Sequence, residues 1–86
     1  MDARELLAWN VRKLRVQRQI SQERLALDAG IDRAYFGRIE RSKENLSLAT
    51  VDVLAKALNV SVADLFRMPA PGETKPEALK AGRKKL

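Results

Sequence analysis

Apolar residues recur every three or four positions in five short runs, and a capping residue stands before most of them. Leu7, Val11 and Leu14 define the first run, and Leu25, Ala26 and Ala29 the second. Phe36 and Ile39 come next, then Leu48, Val51, Leu54, Ala55 and Leu58, and finally Val62, Leu65 and Phe66. That spacing is the 3.6-residue period of amphipathic helices, and no stretch alternates as a half-buried strand would. The class is therefore all-α, with five helices expected. The first covers residues 4 to about 19. Ser21 caps the second, which stops at Gly30. Asp32 caps the third, to about residue 41, and Ser47 caps the fourth, which ends at Asn59. Ser61 with Asp64 forms a capping box for a short fifth.

Eighty-six residues allow one compact domain, which the pattern places at residues 1–67. Residues 68–86 hold all three prolines and few large apolar residues, so they are expected to form a mostly disordered basic tail, with a weak helix between residues 76 and 80. The chain has a net charge of +6, but the excess is uneven. Residues 1 to 66 carry 11 Lys and Arg against 9 Asp and Glu, while residues 67 to 86 carry 6 against 2. Net charge alone therefore does not establish a polyanion-binding domain.

The chain contains no Cys and no His, so it lacks thiolate ligands, disulfides and the commonest general base. Its carboxylates show no paired spacing and no phosphate-cradling glycine loop is present, so neither catalytic residues nor a metal, cofactor or small-molecule ligand is expected. No apolar run approaches the roughly 20 residues that span a bilayer, and acids lie too early for a secretory signal. A soluble cytoplasmic protein without a membrane partner is expected.

One constellation is more specific. Two short helices joined at Gly30, with Ala26 where they cross, Ile31 behind the turn, and Phe36 and Ile39 anchoring the second helix, have the form of a helix-turn-helix. Over residues 5 to 66 the chain resembles the lambda-repressor and Cro type of helix-turn-helix regulators. The resemblance rests on Ser21-Gln22, Leu25-Ala26, Gly30, Ile39-Glu40-Arg41, Leu54-Ala55 and Ala57-Leu58. The run "IDRAYFGRIER" with Asn45 in the next loop is similar to the controller proteins of restriction-modification systems, a pattern that other stand-alone repressors share.

The resemblance implies a homodimer on double-stranded DNA, with the third helix in the major groove of a palindromic operator. Placed at 100° per residue, Ala34, Gly37, Arg38 and Arg41 point away from the core, and Arg33 and Tyr35 lie on its flanks. Arg33, Ala34, Tyr35 and Arg38 are the candidates for base readout, with Arg33 suited to guanine and Ala34 to a thymine methyl. Gln22, Arg41, Lys43 and Asn45 are the candidates for backbone contacts. Family members often place a hydrogen-bonding residue where this chain has Gly37.

Family members also join the first helix to the end of the third by a buried ion pair, which maps onto Arg15 and Glu40; on periodicity alone Arg18 would serve as well. Val60, Val62, Leu65 and Phe66 are expected at the dimer contact. Trp9 is expected to pack at the domain edge or at a subunit contact. Each assignment has a plainer counterpart: a solvated helix face for Arg33 and Arg38, an ordinary polar loop for Arg41, Lys43 and Asn45, and a solubilising end for the tail. The rival function is an antitoxin-like or adaptor module that binds a partner protein, with DNA binding secondary.

Overall fold

Five side-chain caps start five segments in the computed structural model, which describes residues 1–77. Asp2, Ser21, Asp32, Ser47 and Ser61 each accept a hydrogen bond from the backbone N–H three residues on. They open α1 (Ala3–Gln17), α2 (Gln22–Ala29), α3 (Arg33–Glu40), α4 (Leu48–Leu58) and a 3-10 helix (Val62–Phe66). Asp2, which forms a full capping box with Glu5, was not expected as a cap. No strand occurs among the described residues. The fifth helix is a 3-10 turn and not an α-helix. The segment closes with an i→i−3 bond from the Asp64 N–H to the Ser61 carbonyl, the tighter pattern that short pieces use.

The helix ends share one geometry. Gln19, Gly30, Ser42 and Asn59 all have positive φ, between 55° and 72°. After each, the next N–H returns to a carbonyl five residues back: Ile20 to Arg15, Ile31 to Ala26, Lys43 to Arg38, and Val60 to Ala55. This is the Schellman closure, which satisfies carbonyls that the helix leaves open. Ile20, Ile31 and Val60 then pack against the core, so each of these three closures also fixes the direction in which the chain departs.

Leu7 and Val11 from α1, Leu25 and Ala26 from α2, Phe36 and Ile39 from α3, and Val51, Leu54, Ala55 and Leu58 from α4 form one cluster, sealed by Leu65. Phe36 is fully buried at its centre. Ala26 is 1% exposed where α2 packs on α3, as the close crossing requires. Leu48, which follows the apolar period of the fourth run, is 86% exposed. It is the first residue of α4, a full turn before the first buried position at Val51, and it lines a surface cleft with Arg4 and Phe66.

Residues 68–77 are irregular chain, and two of them meet α1. Lys13 pairs with Glu73 at 2.5 Å, and Arg12 Nε donates to the Pro76 carbonyl at 2.7 Å. The Lys13 ammonium holds the Glu73 carboxyl below the usual carboxylate range. Residues 76 and 77 are not helical, and the rest of the weak helix expected there lies outside the described residues. Trp9 is half-buried at the edge of α1 near Ser42 and Lys75.

Asn10 secures the chain where it leaves the last turn. The side chain is 5% exposed, and its Nδ2 donates to the carbonyls of Leu6, Leu65 and Arg67 at 2.9 to 3.1 Å. Asn10→Ala removes the donor and strands the buried Leu65 carbonyl, at a cost of about 1 to 3 kcal/mol. For a domain of this size the expected outcome in a thermal melt is a Tm lowered by roughly 5 to 20 °C.

Candidate nucleic-acid interface

The geometry of α3 is set from behind, by a pair of buried charges. Arg15 and Glu40 are 3% and 4% exposed. Arg15 Nε donates to Glu40 Oε2 at 2.7 Å and Nη2 to Oε1 at 3.1 Å, the two-pronged arrangement suited to a planar guanidinium. Arg15 Nη1 also donates to the Ile20 carbonyl at 2.8 Å. One ion pair thus ties the end of α1, the turn into α2 and the end of α3. Arg18, the alternative on periodicity, is exposed, and its guanidinium returns to the Leu14 carbonyl of its own helix.

Gln22 extends this network to the surface. Its Nε2 donates to Glu40 Oε1 at 2.8 Å, and its Oε1 accepts from Arg33 Nη2 at 2.5 Å. Gln22, a candidate for a backbone contact, is thus engaged at both ends of its amide in the protein alone. Arg33 is exposed at the leading end of α3, next to Asp32, and hangs from the buried pair through one intervening side chain.

Ala34 is exposed beside it, and Tyr35 is half-buried against the core. Arg38 is exposed, with its guanidinium 5.6 Å from the Tyr35 ring centroid, a cation–π distance. Its Nε donates to Glu44 Oε2 at 2.5 Å, and that carboxylate raises the Arg38 pKa above its ordinary value. Glu44 was not among the expected site residues. It reaches Arg38 because the closure at Ser42 folds the next loop back over α3.

Gly37 corrects the angular placement. It was expected to face outward, yet it is buried. A Cβ added there would lie 3.0 Å from Arg33 Nη1 and 3.4 Å from Arg41 Nη1, so two guanidinium groups cover the space that a side chain would take. Periodicity gives only the direction of a position, and could not show that two long side chains bend over it.

Lys43 and Asn45 lie in the loop after α3, where Asn45 is exposed at the mouth of a cleft of about 270 Å3 that also includes Arg4, Leu46, Leu48 and Phe66. Of the residues expected at a dimer contact, Val62 and Phe66 are 41% and 36% exposed, and Val60 is partly buried against the core. Leu65 is fully buried within the protomer. Its side chain points into the cluster made by α1 and α4, so it supports such a surface from beneath instead of forming it.

Arg33 and Arg41 lie around Gly37 at this face, and exposed Leu27 borders it beside Arg33. No three His, Cys, Asp or Glu side chains among the described residues are grouped to hold a metal ion. No helix among the described residues is long and apolar enough to cross a membrane.

Residues 11–65 match the helix-turn-helix family. The chain is 49% identical over 66 residues to the control protein C.SmaI of Serratia marcescens, covering 77% of this chain and 79% of that one. A crystal structure of the hypothetical transcription factor NHTF from Neisseria superposes with a TM-score of 0.76 at 40% identity, over 79% of this chain and 78% of the other. The restriction-modification controller protein C.AhdI from Aeromonas hydrophila superposes with a TM-score of 0.71 at 38% identity, over 73% and 96% of the two chains.

Removing one member of a buried ion pair leaves the other without compensation, at about 3 to 5 kcal/mol. Glu40→Ala strands Arg15 and releases Gln22 together. The expected outcome by calorimetry is a Tm lowered by at least about 10 °C, and an unchanged Tm would show that the pair does not support the fold.

Proposed function

The chain belongs to the helix-turn-helix family of DNA-binding transcriptional regulators, and we propose that it recognises a specific palindromic operator as a homodimer, with α3 in the major groove. It acts as a regulator and not as an enzyme. The observation that carries the reading is the network running from the buried Arg15–Glu40 pair through Gln22 to Arg33, which holds an exposed guanidinium at the leading end of α3. The leading end of a recognition helix is where base edges are met.

In this reading Arg33 donates to a guanine, Ala34 packs on a thymine methyl, and Tyr35 and Arg38 read or position on either side. Arg41, Lys43 and Asn45 contact phosphates. Gln22 both steadies Arg33 and presents the start of α2 to the DNA backbone. Arg38 exchanges Glu44 for DNA on binding, so Glu44 opposes non-specific attachment.

The similarity to control proteins C.SmaI and C.AhdI supports a role in restriction-modification control. Dimerisation rests on Val62 and Phe66 with support from Val60, and exposed Leu48 enlarges the same apolar edge, since it shares a cleft with Phe66. Two recognition helices about 34 Å apart would then meet successive major grooves.

Selection of preferred sites from random DNA tests the proposal, and an inverted repeat is the expected outcome. Arg33→Ala should relax the preference at one base pair in each half-site by about 1 to 3 kcal/mol, with an unchanged Tm. A variant that selects the same sites with the same stringency would remove Arg33 from base readout. Sedimentation should show a dimer on the selected site, and a lone protomer there would overturn the two-fold arrangement.

A further inference from the structure

Gly37 has no conformational reason to be glycine. It lies inside α3 and is absent from the positions of positive φ, so an alanine would meet its backbone requirement and strengthen the helix. What sets it apart is the space above it. The Nη1 atoms of Arg33 and Arg41 converge on the point a Cβ would occupy, at 3.0 and 3.4 Å. The first distance leaves no room for a methyl group unless the guanidinium moves by a few tenths of an ångström.

We propose that Gly37 is a specificity-determining residue that acts through its missing side chain. It is a seat on which the Arg33 Nη1 rests while Gln22 Oε1 holds Nη2. Seat and clamp together limit Arg33 to one pose, and the same seat brings Arg41 beside it. This explains why a face that reads bases has no hydrogen-bonding side chain at its middle. The position is used to aim two neighbouring arginines and makes no contact of its own. The inference rests on the DNA-reading proposal for what Arg33 does, while the seat itself is a property of the protein without DNA.

Gly37→Ala tests both parts. In the unbound protein, the Arg33 Nε–H resonance should be distinct from solvent-averaged arginines in the parent and shift toward them in the variant. A resonance that does not move would overturn the seat, whether or not the parent binds DNA. A parent that selects no sequence from random DNA would overturn the DNA-reading proposal instead.

On the selected site, the variant should lose about three- to tenfold of the preference at the base pair assigned to Arg33, with a Tm equal to or above the parent's. A loss below about twofold would overturn the specificity role. So would a fall in Tm accompanied by an equal loss on all sequences, the mark of a packing residue. In an Arg33→Ala background, Gly37→Ala should leave the preference at that base pair unchanged. A further loss of the same size there would show that the added methyl clashes with DNA directly, and would overturn action through Arg33.

Discussion

The Arg15–Glu40 pair is the constraint on which the position of α3 depends. Both side chains are almost wholly buried, and together they satisfy donors or acceptors from α1, α2, α3 and the turn at Ile20. As a source of stability such a pair is a weak device, because desolvation offsets much of its attraction and apolar residues of similar volume often do as well. Its particular contribution is direction. An apolar contact between α1 and α3 could slide, whereas a two-pronged guanidinium–carboxylate contact has one geometry. The end of α3 is thereby fixed in angle as well as in depth.

That fixity passes outward through hydrogen bonds. Glu40 Oε1 is shared between Arg15 and Gln22, so the Gln22 amide cannot rotate without giving up a bond to a buried charge. Its remaining oxygen then holds Arg33 at a defined place. An exposed arginine normally keeps up to about 2 kcal/mol of rotamer freedom that binding must remove. Where the protein has already restricted the side chain, less is lost at the moment of contact, which is the advantage of preorganisation. The core contributes from the opposite side, since Phe36 and Ile39 hold α3 at a depth that leaves Ala34 and Arg38 exposed.

Much of the fold was legible because it is governed by local rules. Four of the five caps and two of the four left-handed closures were readable, since Ser, Asp, Gly and Asn are the residue types those positions favour. Gln19 and Ser42 were not, because neither type marks a left-handed residue. Gln19 is held there by the packing of Ile20, and Ser42 by the bond from the Lys43 N–H to the Arg38 carbonyl. Leu48 keeps the period of α4 yet is exposed; period alone cannot tell which turn of a helix reaches the core. Leu65 was given to a surface because an apolar residue in a last short turn suits either a core or a contact. The site was legible in its residue types and less so in its connections. Sequence spacing placed Gln22 and Arg33 at two helix starts, but only the structure shows both ends of the Gln22 amide in use and two guanidinium groups over Gly37.

Those connections also bear on the charge. Several cations outside the network have carboxylate partners of their own: Lys13 with Glu73, Arg24 with Asp28, Arg38 with Glu44 and Arg67 with Asp64. Surface pairs of this kind contribute little to stability, about 0 to 1 kcal/mol each. They do reduce the field that the folded part presents to a polyanion, as expected from the near balance of 11 cationic against 9 anionic side chains over residues 1 to 66. Non-specific attachment to phosphate depends on the number of cations that replace counterions, so pairing them internally lowers it. Arg33 is different in kind, because its partner is the neutral Gln22 amide, which directs the guanidinium without cancelling its charge. On the proposed reading, discrimination then comes from contrast more than from total charge. The cation aimed at the bases keeps its full charge, while Arg38 must trade a carboxylate for whatever it meets.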